Sequence, residues 1–374
     1  MNDSPQGSGP QNQEIVHPEM VRRPASAPAR TSTALAYRFL GWLSWMGWVA
    51  FFFCLISLLG ITAVFSDYFN TNHGIREKYV SGSKSISADK VAVLTVSGVI
   101  GMVDDYVKSQ IERIREDDKV KAIVLRIDSP GGTITGSDYI LHHLNQLTEE
   151  KELPLVASMG SVAASGGYYV AMAVGDQENS IFAEPTTTTG SIGVIVPHYD
   201  ISGLMEKYDV KDDSIASHPR KKMLSMTHEM GEEERTIVQE YVMDAFTRFK
   251  DVVKSGRPKF RNDEVALNDL ATGQIYTANQ ALQLGLVDQH GFIEDAVVRA
   301  AELAGLDEGD YKVIKYSQPL TLMDALTSAR APSTKSGTNF EAALRLSTPQ
   351  AYYLHSSAGA ALPLLLYGAT GIGR

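Results

Sequence analysis

The chain has 374 residues, of which 44% are hydrophobic and 21% are charged. This composition excludes a disordered or collagen-like polymer. The net charge of −10 argues against nucleic acid as the main partner, and the single cysteine, Cys54, excludes a disulfide framework within the chain and a cysteine-rich metal site.

An apolar segment near the N-terminus predicts a membrane anchor. No charged residue lies between Phe39 and Phe65, and this stretch exceeds the roughly 20 residues that a membrane helix needs. A cleaved signal peptide is the alternative, but its apolar core would be only about 7–15 residues long. We therefore predict a disordered leader at residues 1–38, a transmembrane helix at 39–66 and a linker at 67–89.

The charges that flank this segment predict its orientation. Four arginines precede it, at positions 22, 23, 30 and 38, whereas the first Lys or Arg after it is Arg76. By the positive-inside rule, the N-terminus lies in the cytoplasm and the rest of the chain lies outside it.

Strands and helices alternate along the next part of the chain. Strands are predicted at 90–100, 122–128 and 153–159, and helices at 105–117, 138–150, 232–255, 279–284 and 293–303. This alternation predicts an α/β fold with a parallel sheet. The globular domain is expected at 90–330.

Residues 331–374 are rich in Ser, Thr, Pro, Ala and Gly, which predicts a low-complexity tail. Its one apolar patch, Ala358 to Tyr367, is too short to span a bilayer. The patch either packs on the domain, stays loose, or fits the molecule's own substrate groove.

Three turns rich in small residues follow predicted strands. The first is Asp128 to Gly132, whose glycines can present bare N–H groups to a ligand. The second holds Ser165, whose hydroxyl either faces a crevice as a nucleophile or caps the next helix. The third holds Ser191, directly after Gly190. The first and the third could also be plain turns.

A serine nucleophile needs a base, and the nine histidines include no convincing candidate. The GxGxxG and P-loop patterns are absent, and His228 lacks the second histidine of a helical zinc site. Lys221 and Lys222 remain, although adjacent lysines are usually a solvated pair. A lysine base must be neutral, and burial can lower its pKa by about 3 units. Ser191 is available to hold the neutral amine.

At these residues the sequence resembles the signal peptide peptidase A family of membrane-anchored serine proteases. The matching runs are Ser129 to Gly132, Ala163 to Tyr169, Thr189 to Val194, Glu232 to Arg235 and Ala281 to Asp288, in the family's order. The similarity covers about 91–316, nearly the whole predicted domain. Each run alone is weak, but their ordered combination is specific.

The resemblance implies a Clp protease/crotonase-like fold and a Ser–Lys dyad. By position, Ser165 corresponds to the nucleophile and Ser191 to the residue that orients the lysine. Gly132 and Gly166 correspond to the oxyanion N–H donors. The base maps to Lys221, within a run, His218 to Lys222, that departs from the family's usual pattern; a shift of one residue would select Lys222.

The resemblance also implies a membrane-bound endopeptidase that degrades signal peptides or other membrane-associated peptides. It implies no metal or organic cofactor. Family members with one catalytic unit form ring-like homo-oligomers in which neighbouring subunits complete the active sites. Two alternatives are an acyl-CoA enzyme on a crotonase-like scaffold and an inactive membrane scaffold that descends from a protease.

Overall fold

The protein is described by a computed structural model covering residues 32–69, 74–101, 105–317 and 352–354. The chain divides into two compact units, Met1–Phe69 and Asn70–Arg374. We describe each unit by itself.

The described part of the first unit is one helix, α1 (Ser32–Phe69). Its stretch Tyr37–Thr62 is long and apolar enough to cross a membrane, and none of that stretch is buried within the protein. The segment predicted as an anchor, 39–66, lies inside α1. The helix begins earlier than predicted, within the expected leader.

The second unit is built on a nine-stranded sheet. Its strands are β1 (Arg76–Gly82), β2 (Asp89–Ser97), β3 (Val120–Ser129), β5 (Leu155–Ala164), β6 (Ile181–Ala183), β7 (Thr188–Gly190), β8 (Ile275–Thr277), β9 (Gln289–His290) and β10 (Tyr311–Ser317). The strand order is β1-β10-β2-β3-β5-β6-β9, and β7 pairs with both β5 and β8. All pairs are parallel except β1 with β10 and β7 with β8.

A second, two-stranded sheet joins β4 (Gly131–Thr133) to β11 (Tyr352–Leu354). The helices of this unit are α2 (Asp105–Glu116), α3 (Ile134–Lys151), α4 (Gly166–Ala171), α5 (Ser202–Lys207), α6 (Glu232–Gly256), α7 (Glu264–Leu270), α8 (Ala278–Leu284) and α9 (Ile293–Leu303).

The parallel strands bury both of their faces, as expected for a sheet covered by helices. In β2, Ala92 and Leu94 belong to the larger core cluster, whereas Val91 and Val93 belong to a smaller one. The larger cluster includes residues of α2, α3, α4 and α6, and the smaller one includes residues of α9. This arrangement confirms the predicted α/β class.

One strand lies where a linker was predicted. Every residue of β1 is exposed, so the strand lacks the alternation of apolar and polar residues that would reveal it in a sequence. It forms the edge of the sheet by pairing antiparallel with β10.

In the predicted tail, the apolar patch Ala358 to Tyr367 lies outside the described residues.

An ion cluster joins this edge to the rest of the sheet. The Lys90 amine lies 2.6 Å from Glu77 and 2.7 Å from Asp117. Partial burial is the largest single effect on each group and opposes its charge, but the hydrogen bonds and opposite charges around Lys90 and Asp117 together outweigh it. The pKa of Lys90 is therefore raised and the pKa of Asp117 is lowered.

Candidate active site

The three small-residue turns meet at one end of the parallel sheet. The first follows β3 and the second follows β5, which are adjacent parallel strands. The third turn includes β7, which pairs with the last residues of β5 and so lies beside the second turn. Ligands of open α/β sheets bind at the carboxyl ends of the strands, so the fold favours this edge as the site.

Ser165 lies at the junction of β5 and α4 in an unusual backbone conformation. Its φ is 54° and its ψ is −117°, a combination that costs a non-glycine residue roughly 1–3 kcal/mol. Its N–H donates to the Gly190 carbonyl at 2.8 Å, and its carbonyl accepts from Tyr169 N–H at 2.9 Å. These bonds hold the turn between β7 and α4.

The side chain of Ser165 is not a helix cap. No side-chain hydrogen bond caps α4, and the Ser165 Oγ is buried without a hydrogen-bond partner among the described residues. A buried hydroxyl without a partner is unfavourable, and such groups concentrate where function requires them. The sequence alone left capping open as an alternative, and the geometry excludes it.

Strand β4 presents one backbone amide toward this turn. Gly131 N–H donates to the Ser129 hydroxyl at 3.1 Å. The Gly131 carbonyl accepts from Ile100 N–H, and Thr133 N–H donates to the Ile100 carbonyl, both at 2.9 Å. Because a trans peptide points its N–H and C=O in opposite directions, both polar groups of Gly132 face away from Ile100.

The side toward which Gly132 faces is the side of α4. A Cβ built on Gly166 would lie 3.1 Å from Gly132 N and would also contact the Ser137 hydroxyl. Only glycine permits this approach of the two backbones. Gly166 also supplies the first N–H of α4, a position whose amides have no partner inside the helix. The structure therefore brings Ser165, Gly166 and Gly132 together.

Ser191 lies next to the Ser165 turn in the third small-residue turn. It is buried, with a positive φ of 53°, and it directly follows Gly190, whose carbonyl binds Ser165 N–H. A cavity of about 390 Å³ opens beside Ser191 and is lined by Val242, Met243 and Phe246 of α6, among others. Ser191 therefore follows the residue that binds the Ser165 turn and also lines a mostly apolar cavity.

Neither candidate base reaches Ser165 within this chain. Lys221 is exposed, in the 3₁₀ turn Pro219–Lys222, and among the described residues it has no ion pair. The Lys222 amine lies 3.8 Å from a carboxylate of Asp212, whose pKa is lowered by hydrogen bonds from Ser214 and Thr227.

Two serines that support the site had no assigned role in the sequence. The Ser129 hydroxyl donates to the Gly98 carbonyl at 2.6 Å while it accepts from Gly131. The Ser137 hydroxyl donates to the Thr133 carbonyl at 2.9 Å and lies beside Gly166. Their signal in the sequence is weak, because small polar residues next to glycines are ordinary turn residues.

Comparison with known proteins identifies the family. The model of peptidase family S49 matches residues 148–307. A protein of Enterococcus faecium named after signal peptide peptidase SppA is 36% identical over 277 residues, which cover 71% of this chain and 76% of that protein. A Synechocystis protein named as a protease is 38% identical over 244 residues, covering 65% of this chain and 85% of that protein.

The chain belongs to the signal peptide peptidase A family. It is a serine peptidase. Its fold is the Clp protease/crotonase-like fold of this family. Among solved structures, a variant of the 1510-N membrane-bound stomatin-specific protease with a bound substrate peptide aligns at 20% identity. That alignment covers 65% of this chain and 98% of that one, with a TM-score of 0.39.

Proposed function

We propose that this signal peptide peptidase A family member is a membrane-anchored endopeptidase with a Ser–Lys dyad formed between two copies of the chain. Ser165 attacks the scissile carbonyl, and the Lys221 amine of a neighbouring copy accepts its proton. The observation that carries the proposal is the buried Ser165 hydroxyl, which lacks a hydrogen-bond partner in the described chain and lies beside Gly132 and Gly166.

The chemistry requires a donor pair for the developing negative charge. When the Ser165 Oγ bonds to the carbonyl carbon, the carbonyl oxygen becomes an oxyanion, which the Gly132 and Gly166 N–H groups stabilise. The protonated lysine then gives its proton to the leaving amine. Water hydrolyses the acyl-enzyme in a second round of the same steps.

Two incomplete features of the chain support a site shared between copies. A lysine base must be desolvated to be neutral near pH 7, yet Lys221 is exposed in one chain. Ser165 is buried, yet its hydroxyl has no base within hydrogen-bond distance among the residues that the structure describes. A second copy that covers Lys221 and carries it to Ser165 satisfies both requirements.

The segment that carries Lys221 has the surface of an interface. We call residues 194–231 the arm. The large apolar side chains exposed on it are Ile195, Tyr199, Leu204, Tyr208, Val210, Ile215 and Met226. Exposed apolar surface of this extent is typical of a protein–protein contact. We propose that the arm packs on the next copy in a homo-oligomeric ring.

The cavity and the anchor support a proposed class of substrate. The cavity beside Ser191 has an apolar α6 wall, which suits leucine and alanine side chains. The apolar stretch of α1 would hold the site at a membrane, with the N-terminus in the cytoplasm and the catalytic domain outside it. We propose signal peptides and other membrane-associated peptides as substrates.

Labelling with a fluorophosphonate probe tests the nucleophile. The probe should modify Ser165 of the full chain in detergent, as located by mass spectrometry, and Ser165→Ala should abolish both labelling and peptide cleavage. Ser158→Ala is a matched control, because Ser158 is a buried serine on β5 that accepts a hydrogen bond from Arg126. Equal labelling of the parent and Ser165→Ala would reject the assignment.

A further inference from the structure

The strand β5, which ends just before the candidate nucleophile, contains a bulge where it pairs with β3. Ile127 of β3 pairs with Met159 of β5, and the next pair in the register is Ser129 with Ala163. One residue of β3 therefore faces three residues of β5. Bulges of this kind bend a strand, and they are common next to active sites.

The bulge sets how far β5 reaches along the sheet. In a regular ladder Ser161 would face Ser129, and the turn that follows β5 would begin two residues further on. Because a strand rises about 3.3 Å per residue, the bulge draws Ser165 back by about 7 Å. The close approach of Gly166 to Gly132, whose N lies 3.1 Å from a Cβ built on Gly166, depends on this setback.

A carboxylate on β3 holds the bulge. The Asp128 Oδ1 accepts a hydrogen bond from Val162 N–H at 3.1 Å, and Val162 is the residue at which β5 begins to pair with β7. The Asp128 carbonyl instead accepts from Gly98 N–H at 2.9 Å, on the side of β2. The main-chain carbonyl of Asp128 thus faces β2, and its side chain reaches β5. The sequence placed Asp128 in the first small-residue turn but gave it no role of its own.

A second contact closes the start of the bulge. A Cβ built on Gly160 would lie 2.9 Å from Arg126 Nη2 and 3.3 Å from Asp128 Cγ. The Arg126 guanidinium forms an ion pair with Glu184, which keeps it over the bulge. Glycine at this position therefore lets both side chains of β3 approach the β5 backbone.

We propose that Asp128 is a positioning residue that keeps Ser165 in register with Gly132. It acts through its hydrogen bond to Val162 N–H and does not touch the reacting atoms. The inference rests on the proposed function, in which Ser165 attacks the substrate and Gly132 N–H stabilises the oxyanion. A misplacement of about 1 Å can lower a rate by about 10²-fold, so a bulge that relaxes without this bond slows the chemical step and leaves peptide binding in place.

Two substitutions of Asp128 in the full chain test the inference. Asp128→Asn keeps a side-chain oxygen that can accept from Val162 N–H, whereas Asp128→Ala removes it. Because Asp128 is exposed, neither change opens the core. We expect Asp128→Ala to lower kcat by about 10- to 100-fold with KM within about twofold. Asp128→Asn should stay within about threefold of the parent, since a neutral acceptor makes a weaker bond of the same geometry.

A matched control separates this role from the general loss of a surface charge. Asp118 is an exposed aspartate just before the start of β3, and its ion pair with Lys151 lies at the surface. Such pairs contribute little to stability, so Asp118→Ala should match the parent. The rate at which a fluorophosphonate probe labels Ser165 should follow kcat across all three variants.

The parent's kcat in Asp128→Ala would overturn the inference. An equal loss in Asp128→Ala and Asp128→Asn would also overturn it, because the loss would then follow the charge and not the hydrogen bond. Amide hydrogen exchange in a Ser165→Ala background gives a readout that does not need activity. The peptide containing Val162 should exchange faster with Asp128→Ala than with Asp128→Asn or Asp118→Ala, and equal exchange would again overturn the inference. A parent without Ser165-dependent cleavage would instead contradict the proposed function, whatever the exchange result.

Discussion

Gly166→Ala tests the oxyanion geometry directly. The new methyl group would lie 3.1 Å from Gly132 N and 3.2 Å from Gly131 Cα, and it would also contact the Ser137 hydroxyl. Ser137 is buried and hydrogen-bonded to Thr133, so it cannot swing aside freely. Strand β4 and the start of α4 must therefore move apart.

The separation weakens the proposed oxyanion donors, Gly132 and Gly166. Loss of one such donor costs about 2.7–4 kcal/mol, or 10²–10³-fold in kcat. The interaction exists only in the transition state, so kcat should fall while KM stays within about twofold. Overpacking should also destabilise the domain by about 1–3 kcal/mol.

Cleavage of a fluorogenic leucine-rich peptide, measured beside thermal unfolding of the full chain in detergent, separates the two effects. Ser137→Ala alone should keep kcat within about threefold, because it leaves both glycines in place. The double variant Ser137→Ala, Gly166→Ala removes the contact between the new methyl group and the Ser137 hydroxyl but keeps the contact with Gly132. Compared with Gly166→Ala alone, it should therefore be more stable without a higher kcat. A folded Gly166→Ala protein with the parent's kcat would refute the reasoning.

Three further results are expected. Lys221→Ala should lower kcat by about 10²–10⁴-fold, as for loss of a general base, while Lys222→Ala should keep it within about fivefold; the reverse order in peptide assays would reassign the base. Lys90→Met should lower the free energy of unfolding by about 1–3 kcal/mol near pH 7. The lowered pKa of Asp117 contributes stability above about pH 4, and this stability is lost as the pH falls through that pKa. The difference in the free energy of unfolding between Lys90→Met and the parent should therefore shrink toward pH 3. A difference in thermal unfolding that does not depend on pH would contradict this. Phe249→Ala should cost about 3–5 kcal/mol by opening a cavity, measurable by denaturant unfolding, and a loss under 1 kcal/mol would show that the site collapses.

Local patterns in the sequence predicted much of the fold. The apolar stripe of 232–255 and the short pattern at 293–303 correspond to α6 and α9 almost residue for residue. Helix α3 was predicted to begin at Asp138 but begins at Ile134, because the Thr133 hydroxyl accepts from Gly136 N–H and caps it. These features depend on neighbours in the chain, which a sequence displays.

Contacts between distant segments could not be predicted in the same way. The approach of Gly166 to Gly132 depends on how β3 and β5 pair, and the tail strand on β4 joins residues more than 200 positions apart. The sequence singled out Ser165, Gly132 and Gly166 as candidates, but not the close approach of their backbones. It predicted a lysine base in a dry pocket, whereas Lys221 is exposed in the single chain.

Co-assembly of two inactive variants tests the shared dyad most directly. Each variant, Ser165→Ala or Lys221→Ala, should be inactive when it is expressed alone. The two variants are then co-expressed in equal amounts and purified as mixed oligomers. In a head-to-tail ring, random mixing gives an intact Ser165 opposite an intact Lys221 at about one interface in four, so about a quarter of the parent's peptidase activity should return. Mixed oligomers that stay at the background of the separate variants would contradict a site built from two copies.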